Sequence, residues 1–495
     1  MTAAWLVLVA ILSANAVYAA SVGENQSTMY DTIVVGMGAS GTSAASTLAQ
    51  AGRRVLVLEA QNRIGGRVCT VPFGDGVVEL GAEWIHGQVP STVYDLAIKN
   101  NVSVISQDIS MDVFLSDGSK GDRALINDLV DFALQSCEDP PKEPQPLGQC
   151  ITNRLMDYIR VHHPDLLKDQ DFLTELLAFL DLVIDNYEAT TSWNDITTES
   201  KYRELDGDQH ISWHKNGYKT LFEILLNTYN NGPGLPTLEY KLNKEVTQIN
   251  WSEDPSKKVV VTCKDGSSYT ADNVIVTVSI GVLKERHATM FSPMLPHWKT
   301  KSIDTISMGL MDKILLLFPY SWWPKSSTFF AFVWRRSEKK KIEERDRWVT
   351  QIFGVSTPLG SDRAMTVWTS GDAAKTIETL PEDVVKRKTM ELLRRFMGAN
   401  VTVPEPVEMI RSSWYTNPYT RGSYTYDHID SPLHPNARAD LAQPITDSAG
   451  VPRILFAGEA TEATHFSTVH GAVDSGRREA ARLLPKSDVC NCPFL

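Results

Sequence analysis

The chain has 495 residues, of which 42% are hydrophobic and 22% charged, and its formal net charge is −12. That length can bury the cores of two or three domains, and the composition excludes a disordered, fibrous or disulfide-scaffolded class. Net acidity argues against nucleic-acid binding and suits a small cationic substrate.

Residues 1–19 carry no charged side chain. They contain the apolar run Trp5 to Leu12 and end in Val17-Tyr18-Ala19. This reads as a secretory signal peptide cleaved before Ala20, too short for a membrane span, so the expectation is export without stable membrane insertion. An uncleaved anchor is the alternative. Asn-x-Ser/Thr sequons at Asn25, Asn101, Asn250 and Asn400 fit passage through the secretory lumen. No two of the six cysteines have zinc-ligand spacing, and no metal is expected. Cys137 and Cys150 flank a proline-rich stretch and are candidates for a loop-closing disulfide in an exported protein. The C-terminal Cys492-Pro493-Phe494-Leu495 fits a prenylation box only superficially, and it is not a peroxisomal address.

The next element organises the chain. Ile33-Val34-Val35 reads as a strand and Gly36-Met37-Gly38-Ala39-Ser40-Gly41 as a tight turn. A helix of small residues follows, then a second strand, Val55 to Leu58, ending in Glu59. Gly36 makes the turn, Gly38 lets a pyrophosphate approach the backbone, and Gly41 lets the helix pack on the strand. The helix N-terminus offers N–H groups and a favourable dipole to phosphate, and Glu59 can accept hydrogen bonds from ribose hydroxyls. Further on, Arg63-Ile64-Gly65-Gly66-Arg67 supplies another close backbone approach and a cation. The stretch Val77 to Gly87 places Gly81, Ala82, Glu83, Trp84 and His86 at a strand end and loop.

Residues 91–185 read as mainly helical. The segments 243–251 and 257–263 alternate as strands, and Asn273 to Val278 is a continuous apolar strand suited to a parallel sheet buried on both faces. The strand Met311 to Phe318 carries Lys313 on one face with Leu315 and Leu317, and Ile314, Leu316 and Phe318 on the other. An ordinary surface lysine does not fit there, and burial disfavours its charged form. Residues 320–380 alternate strands and polar turns, and 383–396 forms a surface helix. Near the end, Ile454 to Glu459 is a strand delivering Gly458 and an acid, and a helix begins around Thr468 and Val469. Dinucleotide-type signals at both ends imply a discontinuous nucleotide domain, 29–90, 215–310 and 440–486. The second domain, 91–214 and 311–439, is inserted into it.

Taken together, GMGASG, RIGGR, GAEWIHG, the Lys313 strand, WYTNPYTRGSY, and LFAGEATE with STVHGAVDSGRREA resemble the flavin-dependent amine oxidases. Within these the chain is most similar to the animal polyamine oxidases. The resemblance runs from about Tyr30 to Leu484. It implies a two-domain α/β fold: a split Rossmann-like FAD domain with an inserted α+β substrate domain. By that pattern Gly36, Gly38, Ala39, Ser40 and Gly41 meet the pyrophosphate and Glu59 the adenosine ribose. Val246 offers backbone to adenine, and Arg67, Gly458 and Glu459 lie near the phosphates and ribityl chain. Gly81 to Trp84 border the flavin, and the helix from Val469 points at its O2 and N1 edge. Two oxidases of the wider family attach flavin through a cysteine before an aromatic residue. Here that dipeptide is Ser423-Tyr424, so FAD is expected to be non-covalent.

The implied reaction removes a hydride from a carbon beside an amine nitrogen to flavin N5, with O2 reduced to hydrogen peroxide and an aminoaldehyde released. The resemblance gives Lys313 a water held at N5. His86 orients a substrate nitrogen or shares in proton transfer, and Tyr424 is one wall of an amine-guiding cage. Thr468 stands at the opposite wall, which is aromatic in monoamine oxidases, and Trp414 packs beside the flavin. His470 is read as structural. Among Asp195, Glu199, Glu204, Asp206 and Asp208, one or two acids, with Glu199 taken forward, are expected to bind distant ammonium groups. A monoamine or L-amino-acid oxidase, and a catalytically silent flavin-binding protein, remain alternatives at this point.

Overall fold

Three apolar runs build the centre of the first sheet. Met29–Val35 lies between Val55–Leu58 and Ser268–Val276 and is parallel to both. Ile33, Val34, Leu56, Val57, Val274 and Ile275 are fully buried, as a strand covered on both faces requires. The computed structural model describes residues 29–137 and 139–485. The leader, Asn25 and the segment containing Cys490 and Cys492 lie outside the described residues.

Leu238–Lys241 extends this sheet beyond Val55–Leu58, and Pro452–Phe456 pairs in parallel with Val274 to Val276. The N-terminal half of Ser268–Val276 pairs antiparallel with Val259–Cys263. Nine strands result, drawn from residues 29–58, 238–292 and 445–456. Two helices cross against each other on one face. A side chain at Gly476 would place its Cβ 2.2 Å from the Ser40 carbonyl oxygen, so the backbones of Ala39–Gln50 and Val469–Leu483 nearly touch. Ser43 Oγ donates to the Val473 carbonyl at 2.8 Å, and Ser40 and Ser475 hydroxyls meet at 3.2 Å. Small side chains in the first helix exist for this crossing.

A second sheet of six strands runs in the order Glu408–Arg411, Met311–Leu317, Ala364–Ser370, Gly354–Ser356, Phe329–Val333 and Met111–Leu115. The last is a departure from the helical reading of residues 91–185, as is the short strand Ile105–Ser106. Five residues are too few to show a period against flanking helical patterns. Helices Arg123–Gln135, Leu147–His162 and Gln170–Glu188 cover one face of this sheet, sharing a core with Phe329, Ala331, Val333 and Trp368. Helix Glu382–Met397 packs its apolar stripe on the other face, against Ile314, Leu316 and Phe318. Leu315 and Leu317 join a separate cluster with Phe73 and Val78. The alternation along the Lys313 strand thus separates two cores.

A disulfide joins Cys137 to Cys150, at the loop between the first two of those helices. A three-stranded ribbon, Trp84–Ile85, Ile211–Ser212 and Ile105–Ser106, ties the two sheet regions together. Among the described residues no helix is long and apolar enough to cross a membrane.

Candidate active site

A cavity of about 1310 Å³ opens at the carboxyl ends of the parallel strands, where open α/β sheets take ligands. Gly36, Gly38, Ala39, Ser40, Glu59, Arg67 and Val246 line one end of it. Gly38 is the N-cap of Ala39–Gln50, and no side chain caps that helix, so its positive dipole end is left to the cavity. Glu59 receives the N–H of Met37 at 2.7 Å on one oxygen and that of Gln61 at 2.8 Å on the other, which fixes the carboxylate with lone pairs to spare. Burial raises its pKa, against the pull of those two N–H groups. Gly458 has φ +132°, and a Cβ there would meet no protein atom within 4 Å but would stand in the cavity Gly458 lines. An uncapped helix end, an anchored acid and a bare-backbone wall fit a dinucleotide.

Gly41 is a correction. It does not line the cavity: its Cβ would lie 2.1 Å from the Gly36 carbonyl oxygen and 2.8 Å from Thr277 Oγ1. Its role is the packing one, between turn and neighbouring strand, not contact with phosphate.

Arg67 and Glu459 pair at 2.8 Å, and Arg67 also donates to the Ser423 carbonyl. Burial opposes the Glu459 charge. Arg67, the Thr425 hydroxyl and Arg438 outweigh it and hold the carboxyl below its usual range. Thr468 caps the helix Val469–Leu483 by accepting the Gly471 N–H at 3.0 Å, and Thr468 and Val469 both line the cavity.

Lys313 is 1% exposed and lines the cavity. Its ammonium donates to Glu83 Oε2 at 2.6 Å, the Gly81 carbonyl at 2.8 Å and the Glu79 carbonyl at 3.1 Å, and it lies 4.5 Å from the Trp368 ring centre. Strand register sets Trp368 directly opposite Lys313, and Trp84 stacks on Trp368 at 5.4 Å. The ammonium is buried but paired, and it donates to three acceptors within the protein. Glu83 also lines the cavity, with its carboxylate engaged by Lys313. The motif GAEWIHG therefore supplies the partner of a lysine 230 residues away. Gly81 must be glycine, since a Cβ would lie 1.9 Å from the Arg67 carbonyl oxygen and 3.1 Å from the Trp414 ring. Trp414 is buried, donates Nε1–H to the Leu80 carbonyl at 3.2 Å, and borders the cavity, as does Ala82.

His86 and His210 flank the ribbon Trp84–Ile85/Ile211–Ser212, with ring centres 6.2 Å apart. Both line the cavity. His86 Nδ1 meets the Gln209 carbonyl at 2.7 Å, an acceptor, so Nδ1 carries the proton and Nε2 is left as an acceptor. Burial lowers the His86 pKa, and burial with the nearby His86 lowers His210 to about 4. His470 stands outside the cavity wall, buried, and its pKa is lowered to about 3 by burial and by His86 and His465.

Tyr424 lines the cavity, and its hydroxyl donates toward the carbonyls of Asn186 and Tyr187, each at 3.1 Å. These carbonyls belong to the last turn of helix Gln170–Glu188, which stops at Ala189 in the left-handed conformation (φ 58°). That helix end delivers Tyr187 and Glu188 to the wall. Tyr187 is 46% exposed by surface area, but that surface faces the enclosure, and burial pushes its phenol up to about 12. Burial, with Asp427 nearby, raises Glu188 to about 7.

Glu199 is the second correction. It is exposed and stands outside the wall, while its neighbours Thr198 and Ser200 are in it. Apart from the acids already described, the lining includes Glu188, Glu204 and Asp131, joined by Tyr202 in edge-to-face contact with Phe466 at 5.5 Å. Of these only Glu204 was among the sequence candidates. Asp131 and Glu188 sit in helical patterns that read as ordinary surface acids, and no local signal marks them.

The chain matches the family described as flavin containing amine oxidoreductase over residues 39–484. It is 31% identical to a Bos taurus protein named peroxisomal N(1)-acetyl-spermine/spermidine oxidase, over 91% of this chain and 94% of that one. It is 30% identical to Protein anon-37Cs of Drosophila melanogaster, over 91% and 90%, and 30% identical to Polyamine oxidase 1 of Oryza sativa subsp. japonica, over 91% and 96%. With a dinucleotide cradle and a buried lysine in the wall of one cavity, the chain belongs to the flavin containing amine oxidoreductases and is a flavin-dependent oxidoreductase.

Proposed function

We propose that this protein oxidises polyamines of the spermine, N1-acetylspermine or spermidine type at a secondary amine. The products are an aminoaldehyde and hydrogen peroxide, and FAD is bound non-covalently. The observation that carries this reading is the row of acids beyond Tyr424. Tyr424 and Tyr202 both feel the charge of Glu188, Tyr202 and Tyr187 both feel Glu204, and Tyr187 feels Asp131. Carboxylates interleaved with aromatic rings along one cavity suit a flexible chain bearing several ammonium groups. A monoamine needs no such row, and an amino acid would need a cation for its carboxylate. The names of the bovine and rice relatives support the same substrate class.

A bound flavin would supply the hydride-accepting ring and the route for the electron pair to O2. The protein's part is to hold the amine carbon in place, keep bulk water out and favour the neutral amine. His86, neutral and tethered through Nδ1–H, offers Nε2 to a substrate N–H. Lys313 supplies a fixed positive charge at the cavity wall, locked by Glu83. Tyr424, held by the helix carbonyls, and Thr468 bound the space where the amine sits, and Trp414 closes its side. Glu188 takes the place expected of Glu199. Ser423 has no thiol for a thioether, and its hydroxyl bonds the main chain of Met311, which supports non-covalent FAD.

The proposed domain boundaries are 29–90, 215–310 and 440–486 for the FAD part and 91–214 and 311–439 for the inserted part. All strands of the nine-stranded sheet fall in the former and all of the six-stranded sheet in the latter. We also propose export: the Cys137–Cys150 disulfide and the exposed sequon residues Asn101 and Asn400 suit an oxidising secretory lumen. Appearance of endoglycosidase-sensitive protein in the medium of expressing cells checks this.

The deciding experiment is peroxide release by the purified holoenzyme with spermine, N1-acetylspermine, spermidine, phenylethylamine and L-leucine. Turnover with one or more of the first three and little with the last two is expected. Preference for phenylethylamine or leucine, or no peroxide with any amine, would overturn the reading.

A further inference from the structure

Behind Trp414, two buried carboxyl groups converge on one loop. Asp312, 1% exposed, accepts the Ser412 hydroxyl at 2.6 Å and the Trp414 N–H at 3.3 Å, both on Oδ1. Glu378, at the end of helix Gly371–Thr379, accepts the next two N–H groups, Tyr415 at 2.7 Å on Oε1 and Thr416 at 2.6 Å on Oε2. Three successive amides held by two carboxyl groups bring those groups to one loop. Asp312 Oδ2 is shut off from solvent and has no donor.

The surrounding charges are engaged elsewhere. Lys313, next in the chain, turns to Glu83. Arg411, on the adjoining strand, donates to the Ile377 carbonyl. Lys375, on the Glu378 helix, pairs with Asp372 and lies over the Tyr415 ring. From the helix Glu344–Gln351 packed beside it, Asp346 pairs with Lys388 and Arg347 with Glu344. From strand Ala364–Ser370 only a hydroxyl arrives, Thr369 Oγ1, and it bonds the Asp312 carbonyl. Two adjacent carboxylates with no cation between them cannot both stay charged in such a place.

We propose that Asp312 and Glu378 hold a single proton between them, placed on Asp312 Oδ2 and donated to Glu378. The pair is a positioning device that fixes Ser412 to Thr416, and with it Trp414, against the strand carrying Lys313. The assignment is directional. Both Glu378 oxygens already accept main-chain N–H groups, whereas Asp312 Oδ2 accepts nothing, so Asp312 Oδ2 is the oxygen left free to carry the donor. Burial and the Glu378 charge act the same way, raising the Asp312 pKa well above its usual range. A carboxyl whose folded pKa is raised binds a proton that the unfolded chain has already released. Its contribution to stability is therefore lost as pH rises from about 5 toward the folded pKa.

The test measures the apparent melting temperature of holoenzyme from about pH 6 to 9 and the kcat to KM split at both ends, for the parent, Asp312→Asn and Glu378→Gln. Asparagine supplies a permanent N–H donor at the Oδ2 position. Asp312→Asn is expected to fold, to lose about 2–4 °C less than the parent across that range, and to keep kcat within about twofold at the lower pH. Glu378→Gln sets an NH2 against a main-chain N–H and is expected to lose stability at every pH. Equal slopes in parent and Asp312→Asn, or Asp312→Asn failing to fold while Glu378→Gln is tolerated, would overturn the assignment.

Discussion

Lys313 and Glu83 form an ion pair 2.6 Å long with side chains 1% and 5% exposed, at the wall of the cavity. A buried pair of this kind is unforgiving when one member is removed, because the other is left as an uncompensated charge. Lys313→Met is expected to lose about 3–5 kcal/mol of stability along with its turnover. Lys313→Met/Glu83→Gln is expected to regain most of the melting temperature and none of the turnover. Turnover restored in the double variant would show that the lysine serves only to neutralise Glu83.

The pH dependence of substrate affinity should report Glu188. Burial and Asp427 raise its carboxyl to about 7, so it is charged above that pH and neutral below. Attraction for an ammonium is present above about 7 and is lost as pH falls through it, so KM for spermine should rise toward acid pH. Glu188→Gln is expected to raise KM at alkaline pH about tenfold, equivalent to about 1.4 kcal/mol, and to flatten the profile. A parallel, undiminished slope in the variant would remove Glu188 from substrate binding.

Two glycines should respond differently to alanine. At Gly41 the new Cβ would lie 2.1 Å from a main-chain oxygen, so Gly41→Ala should give little soluble protein. At Gly458 the Cβ meets no protein atom, and the penalty is the positive φ, about 1–3 kcal/mol, plus intrusion on the cofactor. Gly458→Ala should fold with reduced flavin content, read from the ratio of visible to ultraviolet absorbance.

Denaturing the holoenzyme in acid should release its flavin completely into the protein-free filtrate. Flavin remaining with the precipitated chain would contradict a non-covalent cofactor.

The motifs around Gly38 and Gly458 were legible in the sequence because their geometry is local. A turn, a helix end and an acid follow one another within one strand–helix–strand unit. The burial of Lys313 was legible from alternation alone, since both faces of its strand are apolar. Its partner was not, because Glu83 lies 230 residues earlier and nothing in GAEWIHG says which way that carboxylate turns. The choice of Glu199 failed for a related reason. Its neighbours Thr198 and Ser200 do reach the wall, but in an extended segment alternate side chains face opposite ways. Glu188 reaches the cavity because a helix ends in a left-handed turn at Ala189, a conformation alanine does not advertise. The convergence of Asp312 and Glu378 on residues 414–416 depends on two elements meeting at one loop, and no single segment records it.

Two elements far along the chain, Pro452–Phe456 and Val469–Leu483, sit at the heart of the nucleotide cradle. Until they leave the ribosome, Val274 to Val276 present an unpaired edge, and Ser40, Ser43 and Ala44 form a bare strip with no helix across it. The cradle begun by Gly36 and Ser40 is therefore closed only by these distant elements. A chain stopped before Pro452 exposes an open sheet edge of the kind that quality control and aggregation both recognise.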